Sequence, residues 1–482
     1  MSRVAAVDIG ATSGRVVLAD LAASGPTLQV LSRFPNDLRH ADGEWTWDIL
    51  ALYRHMLDGL ALAVEHDVVS WGIDTWAVDY GVLRDGDLVG PVRAYRDPRN
   101  AAGAERVRST IPWDTLYGIT GIQDMPINTI NQIAADLPQR IVEGTTFLLV
   151  PDLLSHWATG ALATDVTNAS TTGMVDARTR EWSAPILGSL GLPASAFLAP
   201  DEPGSVRGPA VGPRLAGLPL IGVATHDTAS AFVGTPVADR DLALVLSLGT
   251  WALIGAEVIG AHPNERSRQL NVTHELGVDG TVRLLRNVSG MWLFEECRRA
   301  WASEDGVEPS VPDLLAAAEH APAFAAIFDV DAPGLASPGQ RPDTIAPYLV
   351  GAWDGSRGSV VRAILESLVV RLTQRAAEIE GLLGGARPVL HVVGGASRMA
   401  LLMQWLADAT GKQVTAGPVE ATALGNAIVQ WRAGGAVTDL AEARHLVARM
   451  PEIVTYQPQG DGRAWRDLAD RLAEHRTDEG RQ

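Results

Sequence analysis

Residues 221–234 read Ile-Gly-Val-Ala-Thr-His-Asp-Thr-Ala-Ser-Ala-Phe-Val-Gly. The run from Ile221 to Ala224 is small and apolar, which predicts a short buried strand. The residues from Thr225 to Thr228 are polar, and those after them suit the first turns of a helix. Asp227 therefore lies where a strand passes into a helix, at the edge of an α/β sheet where ligands bind. A carboxylate there acts as a general base, or it caps the helix, since aspartate is a common N-cap residue.

Length and charge limit the class of protein. The 482 residues exceed what one hydrophobic core supports, so we expect two domains. The net charge of −18 argues against nucleic acid and anionic membrane as main partners, because both select basic surfaces. We find no signal-peptide pattern and no run of about 20 apolar residues, so we expect a cytoplasmic protein. The one cysteine, Cys297, excludes an intramolecular disulfide and is typical of a small buried side chain.

The only lysine of the chain is Lys412, which is followed by Gln413. A P-loop requires serine or threonine after its Gly-Lys pair, so the sequence excludes a Walker-type NTPase. If the protein binds nucleotide phosphates, backbone N–H groups, a metal ion and arginine must do so.

Residues 4–19 form an apolar run ending at Asp8, a small-residue turn, and a second apolar run. This pattern predicts a hairpin. Gly10 and Gly14 allow a phosphate to approach the backbone closely, and the turn between them carries two hydroxyl groups. Asp8 has the chemistry to hold Mg²⁺ through water. An ordinary hairpin turn explains the same residues, so the sequence leaves both interpretations open.

A second acidic segment follows a predicted amphipathic helix from Trp45 to Glu65. Residues 68–83 read as strand, acidic turn and strand, with Asp74 and Asp79 in the turn. Carboxylates bind pairs of sugar hydroxyls and the Trp76 ring offers an apolar face, so this turn suits a polyhydroxylated ligand. A hairpin with a core tryptophan is the alternative.

The second half of the chain repeats the plan of the first. Residues 242–255 read as strand, Gly-Thr turn and strand, which resembles residues 4–19 in pattern. A long helix is predicted for 359–384, and a buried strand at 388–393 is followed by Gly394-Gly395, which suits either a nucleotide site or a tight turn. We therefore predict domains at 1–237 and 238–445 and a helical tail at 446–482.

Six short motifs occur in an order that carries family information. They are Asp8-Ile-Gly-Ala-Thr-Ser-Gly-Arg15, Gly72-Ile-Asp-Thr-Trp76, Tyr95-Arg-Asp97, Thr225-His-Asp-Thr-Ala-Ser230, Ser247-Leu-Gly-Thr-Trp251 and Val393-Gly-Gly-Ala396. Over residues 1–445 the chain resembles the FGGY family of carbohydrate kinases. Within that family, Ala11–Arg15 and Arg286–Leu293 are closest to the kinases of the ketose L-rhamnulose.

The resemblance implies an α/β fold of two domains, the actin-like ATPase (ribonuclease H-like) fold, with a catalytic cleft between the domains. It implies ATP as co-substrate with Mg²⁺, and it makes Asp227 the general base rather than a helix cap. With the residue chemistry above, the expected sugar contacts are Trp76, Ala77, Asp79, His226, Asp227, Thr228 and Asn287. The expected ATP contacts are Ala11, Thr12, Ser13, Gly14, Arg15, Thr250, Glu295 and Gly395. Asp8 and Asp74 are expected to orient the metal through water.

Two residues depart from the family pattern. Ala77 stands where relatives usually carry glycine after Thr-Trp, and Glu295 stands where a nucleotide-contacting glutamine is expected. In the absence of a P-loop lysine, Arg15 is predicted to neutralise phosphate charge.

The expected reaction is transfer of the γ-phosphoryl group of ATP to O1 of L-rhamnulose. A different ketose or polyol, such as L-fuculose, L-ribulose or D-xylulose, is the alternative acceptor. A sugar or nucleotide sensor without activity is disfavoured by Asp227, and an actin-like polymerising ATPase by the lack of a carboxylate in Leu248-Gly249-Thr250. The expected partners are thus a small sugar and ATP, and the sequence leaves the oligomeric state open.

Overall fold

The computed structural model describes residues 2–22, 25–41, 43–136, 140–212, 214–215, 217–335, 337 and 339–479. The chain folds into two compact units. Unit 1 comprises Met1–Ala238, Glu257–Leu285 and Glu420–Met450, and unit 2 comprises Asp239–Ala256, Arg286–Val419 and Pro451–Gln482. The sequence predicts continuous domains at 1–237 and 238–445, whereas each unit is assembled from three separated segments of the chain.

Unit 1 is built on a mixed sheet whose centre is the strand Ser2–Ile9, buried over most of its length. This strand pairs antiparallel with Ser13–Ala22, as the hairpin pattern predicts, and parallel with Trp71–Thr75. The strand order across the sheet is Val206–Pro209, Pro219–Ile221, Trp71–Thr75, Ser2–Ile9, Ser13–Ala22, Gly25–Pro35. The parallel register places Asp8 beside Asp74, so two predicted site residues lie at the same edge of the sheet.

Short strand pairs and helices complete unit 1. The paired strands are Leu38–Ala41 with Glu44–Trp47, Tyr80–Arg84 with Asp87–Leu88 and Thr145–Leu149, Thr164–Asp165 with Pro200–Asp201, Val175–Asp176 with Glu181–Trp182, and Thr273–Leu276 with the first half of Thr281–Ser289. The helices are Ile49–Val64, Asn100–Thr110, Trp113–Thr120, Thr129–Asp136, Val150–Thr159, Val166–Ala169, Ala184–Ser189, Asp227–Val233, Glu265–Gln269, Ala421–Ala433 and Leu440–Val447.

The helix predicted from Trp45 to Glu65 begins later in the structure. Glu44–Trp47 is a strand, and the helix runs over Ile49–Val64. Asp48 is the N-cap, and its carboxylate accepts a hydrogen bond from the backbone N–H of Ala51 at 3.1 Å. The prediction of an amphipathic helix is confirmed, but its first turn is replaced by strand because Trp45 pairs with His40 across a hairpin.

The last segment of unit 1 explains why the unit is discontinuous. Helix Ala421–Ala433 hydrogen-bonds the central sheet: Gln430 Oε1 accepts from Ser70 Oγ at 2.7 Å, and Gln430 Nε2 donates to the Ala5 carbonyl at 3.0 Å. Ala5 in the sheet and Ser70 just before strand Trp71–Thr75 are both buried, so these bonds form without competition from water.

Unit 2 repeats the hairpin plan. Ala243–Leu248 pairs antiparallel with Trp251–Ile259 and parallel with Val389–Val393. Gln413–Ala416 and Val454–Tyr456 extend this sheet beyond Val389–Val393. The helices of unit 2 are Trp292–Asp305, Val311–His320, Pro342–Ile345, Arg357–Leu383, Ala400–Thr410 and Arg463–Glu479, and Ala326–Ile327 pairs with Val350–Gly351.

The predicted tail, 446–482, is divided between the units. Its last helix packs in unit 2 through Trp465, whose ring centroid lies 5.0 Å from Phe324 and 6.0 Å from Trp405. Cys297 is buried, as predicted, and burial raises the pKa of its thiol to about 12. Among the described residues, no helix combines the length and hydrophobicity that crossing a membrane requires.

Candidate active site

Asp227 is the first residue of helix Asp227–Val233. The N-cap position belongs to His226, and its side chain makes no capping hydrogen bond. Just before the helix, the Thr225 carbonyl accepts from the Thr75 N–H at 2.9 Å, which joins this segment to the end of strand Trp71–Thr75. The helix-cap alternative for Asp227 is therefore not what the structure shows, and its carboxylate lies at the predicted edge of the sheet.

The Asp227 carboxylate is held through one oxygen. Oδ1 lies 3.1 Å from the Thr228 hydroxyl, which donates to it, and 3.4 Å from His226 Nε2. The side chain remains 29% exposed. Burial, and then the negative charge of Asp8, raise the pKa of Asp227 to about 7, while the Thr228 hydrogen bond acts in the opposite direction. A carboxyl group with this pKa is suited to accept a proton near neutral pH.

His226 is held by a buried arginine. Its Nδ1 lies 2.9 Å from Arg283 Nη1 and 3.5 Å from Glu275 Oε2. Burial, followed by the charge of Arg283, keeps the pKa of His226 well below its ordinary value. The imidazole is therefore neutral at physiological pH.

Asp165 fixes the backbone that precedes His226. Its Oδ1 accepts from the N–H of Thr225 at 3.0 Å and from the Thr225 hydroxyl at 3.1 Å. The same oxygen accepts from the N–H of Thr167 at 3.1 Å and so caps helix Val166–Ala169. Asp165 therefore joins the start of this hydroxyl-rich helix to the backbone just before the candidate base.

Arg15 does not present a free charge to a phosphate group. Its Nη2 and Nε donate to Asp8 Oδ2 at 2.6 and 3.0 Å, and its Nη1 lies 2.7 Å from Glu420 Oε2. Two carboxylates thus compensate the guanidinium. Cross-strand pairing turns the side chain toward Asp8. The phosphate contact predicted for Arg15 stays a prediction.

Asp74 is fully buried beside Asp8. Asn426 Nδ2 donates to its Oδ2 at 2.7 Å, whereas Oδ1 accepts no hydrogen bond from any described residue. Burial and the charge of Asp8 raise the pKa of Asp74 well above its ordinary value, and Asp227 acts in the same direction. Asp8 pairs with Asp74 across the sheet, and Thr75 pairs with His226, so the three carboxylates lie at the same edge of the sheet.

This arrangement fits the predicted water-mediated magnesium site. An unpaired carboxylate oxygen beside a second carboxylate favours a divalent cation with oxygen ligands. Within the described ranges, no three His, Cys, Asp or Glu side chains are placed to hold a metal ion directly. Asp8 and Asp74 are thus suited to bind the hydration shell of a cation.

The Asp74–Asp79 segment is not a hairpin. Strand Trp71–Thr75 belongs to the central sheet, and Tyr80–Arg84 belongs to a separate one. Asp79 Oδ2 accepts from Trp47 Nε1 at 2.6 Å, Trp76 Nε1 at 2.9 Å and the Tyr95 N–H at 3.2 Å, and Oδ1 accepts from Gln132 Nε2 at 2.9 Å. Asp79 is therefore saturated by protein donors, and its observed role is to orient two indole rings.

Trp76 and Ala77, just before Asp79, are the predicted sugar contacts of this segment. Ala77 is partly exposed. Val78, which follows it, adopts a φ of 71°, which is strained for a β-branched residue. Trp76 is buried, with its ring centroid 4.5 Å from that of Trp47. The direct sugar contacts predicted for Trp76 and Ala77 stay predictions.

The turn at Ala11–Gly14 presents its hydroxyl groups to solvent. Thr12 and Ser13 are exposed, Ala11 is partly exposed, and the Gly10 N–H donates to the Ser13 carbonyl at 2.9 Å. Gly14 has a different reason to be glycine, because a Cβ there would lie 2.1 Å from the Phe34 ring. Packing between neighbouring strands therefore also requires glycine at position 14, and the ATP contact predicted for Gly14 stays a prediction.

In unit 2, the predicted nucleotide residues lie in tight turns. The Gly290 N–H donates to the Thr250 carbonyl at 3.2 Å, and the Met291 N–H donates to Gly249 at 2.9 Å. Gly394 has a φ of 93°, and a Cβ on it would lie 2.9 Å from the Leu248 carbonyl oxygen. Gly395 follows it as an exposed residue at the start of a short helical turn.

The other two predicted contacts in unit 2 differ in their surroundings. Glu295 lies in the first turn of helix Trp292–Asp305, and its carboxylate accepts from Arg298 Nη1 at 2.7 Å. Asn287 lies in strand Thr281–Ser289 and is partly buried. Lys412 has a structural role: its ammonium group pairs with Glu380 and donates to the Arg387 carbonyl at 2.9 Å.

Sequence reasoning missed three residues of this site. Arg283 contacts His226 and pairs with Glu275, and Asn426 donates to Asp74. The available signal was a charged residue inside an apolar strand, as in Val282-Arg283-Leu284. A buried charge is rare unless it is paired, so such a position indicates a partner.

Both halves of the chain match a family of known proteins. Residues 4–234 match the family model for the FGGY carbohydrate kinase N-terminal domain, and residues 244–434 match that for the C-terminal domain. A rhamnulokinase of Bacteroides thetaiotaomicron is 39% identical over 476 residues, covering 95% of this chain and 96% of the relative. A rhamnulokinase of Enterococcus faecalis is 36% identical over 453 residues, with 91% of each chain covered.

Solved structures share the fold. A ligand-bound xylulose kinase from Lactobacillus acidophilus superimposes with a TM-score of 0.81 at 17% identity, covering 99% of this chain and 98% of the other. The Plasmodium falciparum glycerol kinase with ADP gives a TM-score of 0.79 at 16% identity, covering 98% and 97%.

Proposed function

Because the chain belongs to the FGGY family of carbohydrate kinases, we propose that it transfers the γ-phosphoryl group of ATP to O1 of L-rhamnulose. The observation that carries this proposal is Asp227, a partly exposed carboxylate with a pKa of about 7 at the first residue of a helix. The choice of L-rhamnulose rests on similarity to the rhamnulokinases, which extends over nearly the whole chain.

Asp227 accepts the proton of the attacking hydroxyl group. Its Oδ1 is held by Thr228 and faces His226, and no described residue donates to Oδ2. Oδ2 is therefore the oxygen free to take the proton as the hydroxyl oxygen attacks phosphorus. General bases of this kind contribute roughly 10²–10⁴ in rate.

The nucleotide is bound without a P-loop lysine. The exposed turn Ala11–Ser13 supplies backbone and hydroxyl donors, and Thr250 and Gly395 are the proposed nucleotide contacts of unit 2. Mg²⁺, held through water by Asp8 and Asp74, would neutralise charge on the transferred group. Arg15 fixes the orientation of Asp8 for this purpose.

The acceptor is a neutral polyol rather than an anionic sugar. Near Asp227 the charged groups are mainly carboxylates, and Arg283 is buried and paired with Glu275. Asn287, Ala77 and Trp76 are the proposed contacts that select among ketoses. Ala77 adds one methyl group relative to the glycine of relatives. A single methyl group changes the binding free energy by only about 1–3 kcal/mol. L-Fuculose carries the same terminal methyl group as L-rhamnulose and differs in configuration at C4, so a contact with that methyl group does not separate the two and we expect side activity on L-fuculose.

The test is kcat/KM for L-rhamnulose, L-fuculose, L-ribulose, D-xylulose and glycerol, measured by ATP-dependent ADP release, with Asp227→Asn as the background control. We expect L-rhamnulose to give the highest value. A higher value for L-ribulose, D-xylulose or glycerol would show that the acceptor is assigned wrongly. If ADP is released as fast without any sugar as with sugar, the proposal that a sugar accepts the phosphoryl group would be contradicted.

A further inference from the structure

Arg283 is a buried residue that contacts the histidine next to the candidate base. It sits in strand Thr281–Ser289 with 1% of its side chain exposed. Nη1 lies 2.9 Å from His226 Nδ1 and 3.0 Å from Glu275 Oε2. Nη2 donates to the carbonyls of Thr167 at 3.2 Å and Leu276 at 3.1 Å, which fix the guanidinium plane.

The chemistry of guanidinium determines the protonation of His226. Guanidinium carries N–H donors and no acceptor, and it stays charged in proteins. A proton on His226 Nδ1 would face the Nη1 proton across 2.9 Å, which is repulsive. Nδ1 must therefore accept, and the single proton of the neutral ring resides on Nε2. Nε2 lies 3.4 Å from Asp227 Oδ1.

We propose that Arg283 is a positioning residue for phosphoryl transfer, because it holds His226 as the neutral Nε2–H tautomer, which places the protonated nitrogen 3.4 Å from Asp227 Oδ1. At this distance the N–H dipole stabilises negative charge on Oδ1 electrostatically, and Oδ2 is left to receive the substrate proton. The catalytic consequence rests on the proposed function, whereas the tautomer follows from the contacts alone.

Glu275 makes the role of Arg283 specific. Its Oε2 lies 3.5 Å from His226 Nδ1, so this carboxylate is itself positioned to accept a proton from that nitrogen. Without Arg283, Glu275 would draw the proton onto Nδ1 and Nε2 would lose it, or the ring would become an imidazolium. Arg283 therefore decides between two available tautomers, which a purely structural arginine does not do.

The first test is ¹⁵N NMR of the full chain labelled in histidine, without substrate. The chain has 11 histidines, so the His226→Gln variant identifies the His226 signals by their loss. We expect protonated Nε2 and bare Nδ1 in the native chain, and the same in Glu275→Gln, which keeps Arg283. In Arg283→Met we expect protonated Nδ1. Protonated Nδ1 and bare Nε2 in the native chain, or an unchanged tautomer in Arg283→Met, would overturn the proposal.

The matched control is Arg444→Met. Arg444 is also a buried arginine of unit 1, and it donates to Glu257 at 2.8 Å and to the Phe232 carbonyl at 2.9 Å without contacting His226. We expect this variant to keep the native tautomer. A change of tautomer in Arg444→Met would show that loss of any buried arginine disturbs His226, and would contradict a specific role for Arg283.

Kinetics then test the catalytic consequence. For L-rhamnulose, we expect kcat of Arg283→Met to fall about tenfold or more, with a smaller change in KM, because a wrong histidine tautomer impairs proton transfer. A rise in KM of about tenfold with kcat unchanged would overturn the positioning role. If L-rhamnulose proves not to be the acceptor, the NMR result is unaffected, so the two proposals fail separately. If Arg283→Met does not fold, the native and Glu275→Gln spectra still decide the tautomer.

Discussion

The carbonyl oxygen of Ser230 lies 1.8 Å from the position that a Cβ atom would occupy on Gly425. The contact is reciprocal, because a Cβ on Gly234 would lie 2.1 Å from the Ala421 carbonyl oxygen. Helix Asp227–Val233 and helix Ala421–Ala433 therefore approach each other backbone to backbone. The helix that begins with Asp227 is positioned by a contact that only glycine permits.

The variant Gly425→Ala should displace this helix and lower stability by about 1–3 kcal/mol, as overpacking does. Turnover should fall with it, because Asp227 moves with the helix. Thermal unfolding and kcat measure the two effects. Gly381→Ala is the matched control, since Gly381 lies in helix Arg357–Leu383 and an added Cβ meets nothing within 4 Å. There alanine should raise stability by about 1 kcal/mol. Equal effects of the two variants would contradict the account.

The variant Asp79→Asn tests whether Asp79 orients the tryptophans or binds sugar directly. In the native chain both carboxylate oxygens of Asp79 accept hydrogen bonds from N–H donors. Asparagine replaces one of these oxygens with an N–H₂ group, which faces a donor and cannot accept, so we expect stability to fall by about 2–3 kcal/mol. KM for the sugar should rise because Trp76 loses its orientation. Denaturant unfolding separates the alternatives: a variant of unchanged stability with a raised KM would indicate a direct sugar contact instead.

The variant Arg15→Met tests whether Arg15 mainly holds two carboxylates or contacts phosphate. It leaves Asp8 and Glu420 without their shared cation, so we expect about 3 kcal/mol of destabilisation. The double variant Arg15→Met/Asp8→Asn should recover part of this loss, because it removes the carboxylate left unpaired, whereas Glu420 keeps Arg33 as a partner at 3.1 Å. Thermal unfolding of both variants gives the comparison. Unchanged stability, with only KM for ATP raised, would restore the original prediction of a phosphate contact.

The pH dependence of kcat/KM should report the pKa of Asp227. Burial and Asp8 raise this pKa to about 7, so the carboxyl group is protonated below that pH and cannot accept the substrate proton. We expect kcat/KM to fall about tenfold per pH unit on the acid side of 7 and to level off above it. A profile that stays flat down to pH 5 would show that the titrating base is a different group or that its pKa is not raised.

The sequence predicted the parts of this site that local patterns encode. The passage from apolar residues into Thr225–Thr228 marked the strand-to-helix junction, and the two hairpins followed from alternating apolar runs. The resemblance to a family, rather than the pattern, decided between base and cap for Asp227. The structure then placed His226 at the N-cap position and left Asp227 free for chemistry.

The parts that sequence reasoning did not predict depend on contacts between distant segments. Asn426 reaches Asp74 across 352 positions, and Arg283 reaches His226 across 57. The sequence shows that Arg15 carries a charge. Its pairing with Glu420 depends on the helix Ala421–Ala433, which belongs to the last segment of unit 1 and could not be predicted from the sequence around Arg15. Charge in a sequence shows that a partner exists, but only the fold shows which one.

The central claim, that Asp227 is the general base, is tested most directly by Asp227→Asn. Asparagine keeps the shape and can still accept from Thr228, but it cannot take a proton from the sugar hydroxyl. We predict a fall in kcat of about 10² or more, with the Kd for L-rhamnulose changed less than about threefold by calorimetry. Near-normal kcat in this variant, with sugar binding intact, would contradict the assignment of Asp227 as the base.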